Sequence, residues 1–276
     1  MTSLTRKNTC IIVVTFNPST EFTRNVSRYL EIADKVIIVD NNSAIDVAAL
    51  VPTNVDVNKV VFINSEVNNG IAWGLNQGLT KAIFMGYEYV LSFDQDSYPV
   101  SNILELYASI ANINRKIGLL GTSFTDEEIQ VNCVHVKKTL TIITSGALHI
   151  LSKIPQIGLY DESLFIDSVD FDFALRVKSK GFEVLRVKEP LICHHLGNPI
   201  KKMGIQSSNH SSFRRYYMAR NHVIILKRYW KQFPLWVLKK NLFFMIQLLK
   251  MMILEGDKKA KLCLTLKGFH DAFKNK

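Results

Sequence analysis

The sequence predicts an α/β fold of the Rossmann-like kind, with a mostly parallel central sheet. Short runs rich in β-branched residues alternate with helical segments, at the spacing that is typical of βαβ units. Each run ends in polar turn residues, which the carboxyl edge of a parallel sheet would gather into one crevice. The predicted strands lie at residues 11–14, 35–39, 60–63 and 89–93.

The remaining elements follow in chain order. A helix is expected over residues 19–33, after the first strand, and another over residues 72–84, before the fourth. Further along, residues 140–144 are β-like and lead into a turn of small residues at 144–147. A helix is also expected within residues 167–180, so the α/β pattern continues into the second half of the chain.

The composition of the sequence changes after Pro199, where long predicted helices rich in basic and apolar residues begin. We therefore predict an α/β domain over residues 1–198 and a C-terminal helical region over residues 199–276. Within the first of these, residues 1–98 and 99–198 are expected to form its two halves.

Composition and charge narrow the class of protein. The chain has 276 residues, 47% of them hydrophobic, which is enough for a full core. No apolar run reaches the roughly 18 residues of a membrane span, and no signal peptide is evident. The four cysteines are scattered, so neither a zinc site nor a disulfide framework is expected and a reducing cytoplasm is indicated.

The net charge of +10 is unevenly distributed. Residues 201–276 hold 17 lysine and arginine residues against 3 acidic ones, a surplus of 14 positive charges. Residues 1–200 hold 17 basic and 21 acidic residues, a net charge of −4. A basic C-terminal region points to an anionic surface as its partner, either a membrane or a nucleic acid.

Asp94-Gln95-Asp96 is the most informative triplet, because it follows the predicted strand 89–93 directly. At the carboxyl end of a parallel strand, two carboxylates would lie where substrate binds. Oxygen ligands of this kind suit Mg²⁺ or Mn²⁺, which bind through carboxylates and substrate phosphates. A strand that simply ends in an aspartate-rich turn is the alternative, and the triplet alone leaves the two equally supported.

Two further segments have both a binding and a structural interpretation. From Asn68 to Gly78, small or amide residues occupy alternate positions, which permits close approach of a ligand or of another backbone. Tight helix packing explains the glycines equally well, but it does not explain Asn68 and Asn76. Asp40 ends the second strand and could accept a hydrogen bond from a nucleobase, although an ordinary turn-forming aspartate is slightly favoured.

A second acidic cluster, Asp167, Asp170 and Asp172, is interleaved with apolar residues. A carboxylate in a partly apolar crevice has a raised pKa, which suits a general base. Helix capping is the alternative, and the two roles are compatible within one cluster. The pair His194 and His195 could supply an imidazole to a metal beside Asp96, although such pairs are more often structural.

Together these motifs resemble the family-2 inverting glycosyltransferases with a GT-A-type fold, and especially their rhamnosyltransferase-like members. The resemblance extends through most of the chain, and its specificity lies in the order and spacing of the motifs. One departure concerns the family's Glu-Asp pair, which is Val169-Asp170 in this sequence. The matching segments are residues 13–17, 38–41, 68–78, 94–96, 144–146, 194–197, 215–221 and 268–272.

The resemblance implies a role for each of these motifs. It implies Asp170 as the catalytic base, with Asp167 in reserve, and a Mg²⁺ or Mn²⁺ ion bound by Asp96 and His194. The nucleotide sugar would be bound by Thr15, Asn17, Asp40, Asn68, Gly70, Ala72, Asn76 and Asp94. The acceptor side would include Ser145, Gly146, Asp167, Asp172 and Arg176.

The resemblance also implies a reaction, in which a sugar moves from a nucleotide-diphospho-sugar donor to a lipid-linked or oligosaccharide acceptor. The expected donor is dTDP-L-rhamnose and the expected product belongs to a cell-surface polysaccharide. A UDP-sugar donor is the alternative within the same fold. A non-catalytic basic protein that binds membranes or nucleic acid is the alternative from another class.

Residues 233–254 combine a wide apolar face with Lys239, Lys240, Gln247 and Lys250 in one narrow sector of a helical wheel. A helix of this kind suits the interface of an anionic membrane, which we expect to contact residues 230–262. Packing against the catalytic domain or a second copy of the chain is the alternative, so a homo-oligomer stays open. We therefore expect a cytoplasmic protein on the inner face of the cell membrane, with no nucleic-acid partner.

Overall fold

The computed structural model describes residues 3–100, 102–127, 130–194, 200–202 and 205–274. Two compact units interleave along the chain. The first contains residues 1–162 and 173–195, and the second contains residues 163–172 and 196–276. The division between residues 198 and 199 stays a prediction.

The first unit is built on a mixed sheet whose centre is parallel, as the sequence predicts. Strand β1 pairs in parallel with β2 on one side and with β4 on the other, and β2 pairs in parallel with β3. Strand β8 then runs antiparallel between β4 and β6. All seven residues of β1 and all five of β2 are buried, which explains their continuous apolar runs.

The strands of this sheet have the order β3-β2-β1-β4-β8-β6-β9-β5, with β7 paired to β9. Their bounds are β1 Thr9–Thr15, β2 Val36–Asp40, β3 Val60–Asn64, β4 Tyr89–Asp94, β5 Ser97–Pro99, β6 Ile117–Thr125, β7 Val136–Lys138, β8 Ala147–Ile150 and β9 Glu183–His194.

The helices that accompany the sheet are α1 Phe22–Ile32, α2 Gly70–Phe84, α3 Ile103–Ala111, the short α4 Ile154–Ile157 and α5 Val169–Ser179. Helix α1 buries Phe22, Val26 and Tyr29, which recur at intervals of three and four residues and so share one face. Helix α2 begins two residues before the predicted start, at Gly70, whose φ of +84° favours glycine.

The glycines of α2 bring this helix close to β1. A Cβ atom at Gly74 would lie 2.5 Å from Cγ1 of Val14, and one at Gly78 would lie 2.5 Å from Cγ2 of Ile12. Both valine and isoleucine are fixed in a buried strand, so neither can give way cheaply. For these two glycines the structure therefore supports the packing interpretation of the motif.

We expect Gly78→Ala to lower the free energy of unfolding by about 1–3 kcal/mol, because overpacking outweighs the helix propensity that alanine gains. Urea unfolding measures the change. Thr80→Ala, on the exposed side of the same helix, is the matched control and should change stability by less than about 0.5 kcal/mol. A more stable Gly78→Ala protein would contradict the close packing of α2 on β1.

The second unit contains helices α6 Ser212–Tyr229, α7 Pro234–Leu254 and α8 Lys258–Lys274, with the short hairpin β10 Ile200–Lys202 and β11 Ile205–Ser207. A buried ionic cluster joins these elements. The carboxylate of Glu255 accepts from Arg215 at 2.6 Å and from Lys261 at 2.8 Å. Burial raises the pKa of Glu255, but the bonds from Lys261 and Ser207 and the charge of Arg215 outweigh it and lower the pKa.

Helix α7 has its apolar side chains on the outside. Its buried residues are Phe244, Met251 and Leu254, and Lys240 lies one turn before Phe244 on the same inward face. The basic sector seen on the helical wheel is thus divided, since Lys239 is exposed whereas Lys240 points inward. Nine apolar residues of α7 are exposed: Leu235, Leu238, Leu242, Phe243, Met245, Ile246, Leu249, Met252 and Ile253.

Among the described residues, no helix has both the length and the apolar character that crossing a membrane requires. This holds for α7 as well, although apolar side chains are exposed along its length.

Candidate active site

The register of the central strands brings the sequence motifs to one edge of the sheet. Val14 pairs with Asp94 across β1 and β4, and Thr15 pairs with Asp40 across β1 and β2. The carboxyl ends of these three parallel strands therefore lie side by side. Asp40, Thr15 and Asp94, which come from separate parts of the sequence, are brought together as the predicted crevice requires.

The turn that carries the two aspartates is held by Gln95. Its Oε1 accepts from the backbone N–H of Phe16 at 2.8 Å, and its Nε2 donates to the carbonyl of Phe16 at 3.3 Å. The side chain of Asn25 donates to the carbonyl of Gln95 at 2.9 Å. The middle residue of the Asp-x-Asp motif thus fixes the turn to the end of β1, which frees both aspartate side chains from that task.

The hydroxyl groups of Ser145 and Ser97 also hold the Asp-x-Asp turn. The buried hydroxyl of Ser145 accepts from the backbone N–H of Asp94 at 3.3 Å and also bonds the hydroxyl of Ser97. Gly146, with a φ of +73°, follows Ser145 in the turn of small residues. The structure therefore directs the hydroxyl of Ser145 to the Asp-x-Asp turn, and its acceptor-side role stays a prediction.

Tyr29 completes this support, because its hydroxyl donates to the carbonyl oxygen of Ser97 and lies 3.3 Å from that of Asp94. Burial raises the pKa of Tyr29 well above its ordinary value, and the negative charges of Asp94 and Asp96 raise it further. The phenol therefore stays protonated and keeps donating to the backbone of the turn.

Asp94, Asp96 and His194 form a cluster with the composition of a metal site. One ligand atom from each residue lies within 4.8 Å of the other two. Strand β9 brings His194 to the aspartates, because it pairs with β5 and sets His194 opposite Ser97. Nδ1 of His194 lies 3.3 Å from Oδ1 of Asp96. This nitrogen is buried and, within the described part of the chain, has no hydrogen bond of good geometry.

The electrostatics of the cluster also suit a cation. Burial lowers the pKa of His194, but Asp96 and Asp94 outweigh that effect and raise the pKa above its ordinary value. The side chain of Asp96 is 53% exposed, so the cluster is open to solvent on one side. Two carboxylates and a buried imidazole nitrogen fit Mg²⁺ or Mn²⁺. His195 and Gly197, the other members of the predicted histidine motif, lie outside the described residues.

Asp40 is held in a turn by its neighbours. Its carboxylate accepts from the hydroxyl of Thr15 at 2.7 Å and from the N–H and hydroxyl of Ser43, at 2.8 and 2.5 Å. Asn17, whose φ is +48°, accepts from the N–H of Ala44 at 2.8 Å and so links the two loops. The turn-forming interpretation of Asp40 is thus observed, and the contact with a nucleobase stays a prediction.

The start of α2 is organised by asparagine side chains. Oδ1 of Asn68 accepts from the N–H of Gly70 at 3.0 Å, and Asn41 donates to the carbonyl of Gly70 at 3.0 Å. Sequence reasoning missed Asn41, which is buried and joins the end of β2 to the start of α2. These bonds fix the loop before α2 beside the carboxyl end of β2.

Further along α2, Ala72 is buried and the amide of Asn76 is fully engaged. Asn76 donates to the carbonyl of Tyr160 at 3.0 Å and to Glu162 at 2.7 Å, and it accepts from the N–H of Tyr160 at 2.8 Å. Asn76 therefore anchors the segment around residue 160 in the first unit. Its predicted contact with the donor stays a prediction.

The acidic segment of the second unit has an unusual backbone. Phe165, Asp167 and Ser168 have φ values of +60°, +64° and +63°, which L-residues seldom adopt. The Asn221 side chain, which sequence reasoning did not single out, holds this segment. Its Nδ2 lies 2.7 Å from the carbonyl oxygen of Leu164, 2.8 Å from that of Ile166 and 2.9 Å from that of Asp167.

The flanking acids of this segment are each paired with an arginine. Asp167 accepts from Arg214 at 3.0 Å through Nε and at 2.9 Å through Nη2. Asp172 is buried, and its carboxylate pairs with Arg228 and accepts from the hydroxyl of Tyr229 at 2.9 Å. These geometries give both acids a structural task, and their acceptor-side roles stay predictions.

Asp170 lies between these two acids, in the first turn of α5. The N–H of Phe171 donates to its Oδ1 at 2.9 Å. In the first unit, Arg176 of the same helix donates to the carbonyl of Ile157 at 3.4 Å and lies over the ring of Phe173 at 5.5 Å. The predicted roles of Asp170 as base and of Arg176 on the acceptor side stay predictions.

Comparison with known proteins is consistent with this arrangement. Residues 10–160 match the family model for glycosyl transferase family 2. The dTDP-rhamnosyl transferase RfbF of Shigella flexneri is 29% identical over 243 residues, which cover 80% of each chain.

Solved structures share the fold at low sequence identity. The mannosyltransferase PcManGT of Pyrobaculum calidifontis, solved with GDP-Man and Mn²⁺, has a TM-score of 0.56 at 13% identity, over 98% of this chain and 76% of its own. TarS 1–349 of S. aureus with UDP-GlcNAc has a TM-score of 0.55 at 13% identity, over 97% and 73%. GalNAc-T7, solved with UDP, GalNAc and Mn²⁺, has a TM-score of 0.59 at 15% identity over 84% of this chain, which spans 49% of that structure.

The fold and its site thus define a GT-A-type glycosyltransferase. The match to the family model covers more than half of the residues, and the chain belongs to glycosyl transferase family 2. The resemblance inferred from the sequence motifs is confirmed at this level.

We expect Asp96→Asn to weaken Mn²⁺ binding by more than about tenfold, because the cluster loses a charged oxygen ligand. Electron paramagnetic resonance of Mn²⁺, titrated into the protein without donor, measures the change. Glu31→Gln is the matched control, since it removes an exposed carboxylate near the C-terminal end of α1. Equal Mn²⁺ affinity in all three proteins would contradict a metal site at this cluster.

Proposed function

We propose that this glycosyltransferase moves L-rhamnose from dTDP-L-rhamnose to a lipid-linked glycan acceptor in the synthesis of a cell-surface polysaccharide. The observation that carries the proposal is the Asp94, Asp96 and His194 cluster at the carboxyl end of β4 in a family-2 chain. The choice of donor rests on the relative from Shigella flexneri, whose name gives dTDP-rhamnose as its substrate class.

In this proposal the diphosphate of the donor binds at the cluster formed by Asp94, Asp96 and His194. A divalent cation bound by Asp96 and His194 would neutralise the charge that develops on the leaving diphosphate. The nucleoside would lie along the carboxyl ends of β1 and β2, next to Thr15, Asn17 and Asp40. Asn68, Gly70, Ala72 and Asn76 would complete the donor side, as the family resemblance implies.

Asp170 is the proposed general base. Its carboxylate takes the proton from an acceptor hydroxyl as that oxygen forms a bond to the anomeric carbon. The bond from the anomeric carbon to the diphosphate oxygen breaks, and its electron pair leaves with the dTDP. Attack from the face opposite the leaving group inverts the anomeric centre, and a base in position contributes about a hundred- to ten-thousandfold to the rate.

A UDP-sugar or GDP-sugar donor is the second candidate, because solved relatives of the same fold were obtained with UDP-GlcNAc and with GDP-Man. Thermal unfolding with each nucleotide sugar and Mn²⁺ separates the candidates, since a donor that binds the folded protein raises the transition temperature with its concentration. The proposal requires the largest shift with dTDP-rhamnose.

We expect Asp170→Asn to lower transfer from dTDP-rhamnose by about a hundred- to ten-thousandfold, because the acceptor hydroxyl loses its base. Donor affinity, measured by calorimetry, should stay within about twofold. Release of dTDP in the presence of host membranes, which supply the lipid-linked acceptor, measures turnover, and Glu31→Gln is the control. Full turnover in Asp170→Asn, with turnover lost in Asp167→Asn, would assign the base to Asp167 instead.

The same proposal includes a location on the inner face of the cytoplasmic membrane, through residues 230–262. The outward face of α7 is a continuous apolar surface on a 21-residue helix, with Lys239 beside it and Trp230 exposed just before it. Apolar side chains bury in the lipid interface, and lysines near anionic lipid each contribute about 1 kcal/mol. A lipid-linked acceptor would then be presented at the surface where the enzyme lies.

We expect Leu242→Glu and Leu249→Glu each to lower binding to vesicles of anionic lipid by about tenfold or more, since a charge replaces a side chain that is 62% or 60% exposed. Co-sedimentation with the vesicles measures binding. Ile113→Glu, at an apolar position that is 84% exposed in the first unit, is the matched control and should bind normally. Unchanged vesicle binding, with a smaller oligomer in both leucine variants, would make this face a contact between copies.

A further inference from the structure

Lys240 is a basic residue on the inward side of a helix whose outward side is apolar. It lies four residues before Phe244, which is buried, and its own side chain is half-buried. The neighbouring Lys239 is exposed. A lysine in such a position needs a local partner, because burying an ammonium group without compensation is costly.

Aromatic rings supply part of that compensation. Nζ of Lys240 lies 3.4 Å from the ring centroid of Phe171, and the rings of Trp236 and Phe243 are 5.8 and 5.7 Å away. Trp236 also packs edge-on against Phe171, at 6.0 Å between centroids. These contacts hold the ammonium against Phe171, which directly follows the proposed base Asp170 in the first turn of α5.

The charge of Asp170 acts on this ammonium. Burial lowers the pKa of Lys240 to about 8, and Asp170 opposes that change because a nearby carboxylate favours the charged amine. His222, on α6, also faces Lys240, and burial lowers the pKa of His222 while the charge of Lys240 lowers it further.

Two arginines also lie along this segment. Asp167 is paired with Arg214, and Asp172 is paired with Arg228. Both arginines add positive charge to the segment, and Lys240 is a cation of α7 on which the charge of Asp170 acts.

We propose that Lys240 is a positioning residue for Asp170, whose carboxylate it keeps ionised and in place for removing the acceptor proton. The inference rests on the proposed function, in which Asp170 is the base. Lys240 itself takes no proton from the acceptor and contacts no reacting atom in this scheme. Its contribution is a positive charge, held against the ring of Phe171.

The test compares Lys240→Met and Lys240→Arg with Lys239→Met, which removes the adjacent exposed charge. Turnover of dTDP-rhamnose with Mn²⁺ is measured against pH as dTDP released. Loss of the Lys240 charge should move the acidic limb of kcat/KM to higher pH by about one unit, because Asp170 then protonates more readily. Lys240→Arg and Lys239→Met should keep the wild-type limb, and a wild-type limb in Lys240→Met would overturn the inference.

A second measurement needs no activity. The reactivity of the Lys240 amine toward an acylating reagent is followed against pH in the wild type and in Asp170→Asn, by mass spectrometry of the labelled peptide. Coupled charges act reciprocally, so the midpoint for Lys240 should fall in Asp170→Asn. An unchanged midpoint would refute the pairing of Lys240 with Asp170. Full transfer activity in Asp170→Asn would instead refute the proposed base, whatever the midpoint does.

Discussion

The parallel pairing of β1 with β4 is the constraint on which the rest of the site depends. Its register sets Val14 opposite Asp94, so the Asp-x-Asp turn leaves the sheet at the same edge as the loop after β1. Gln95 then fixes that turn to Phe16, and Ser145 supports it from the neighbouring segment. The two glycines of α2 that face Ile12 and Val14 let this helix pack closely on β1.

In the second unit, buried charged side chains are paired with one another, and many apolar side chains of α7 are exposed. Glu255 is held by Arg215 and Lys261, and Asp172 by Arg228. Such pairs are costly to break, because removal of one partner leaves an uncompensated charge inside. Because Glu255 follows α7 directly, these pairs tie the end of α7 to α6 and α8, and the apolar outer face of α7 is of the kind that marks interaction surfaces.

Strands β1 to β4, helices α1 and α2 and the position of the Asp-x-Asp turn could be predicted because they follow from local patterns of apolar and polar residues. The strand expected at residues 140–144 was wrong, since the strand of that region is β8, Ala147–Ile150. The roles of Gln95, Asn41 and Asn221 could not, since each depends on contacts with residues distant in the chain. The helical wheel placed Lys240 in one sector with Lys239, but a wheel contains no information on which side faces the protein, and the structure divides the pair. The ring of Phe171 decides this, and it lies some 70 residues earlier.

The central claim is that Asp96 and His194 hold a divalent cation against the diphosphate of the donor. The most direct measurement is anomalous diffraction at the manganese edge, from crystals grown with Mn²⁺ and dTDP. The account predicts one strong anomalous peak bonded to Asp96, to His194 and to the diphosphate oxygens. The account would be contradicted if dTDP and Mn²⁺ were bound together at another place in the protein, with none of Asp94, Asp96 and His194 coordinating the metal.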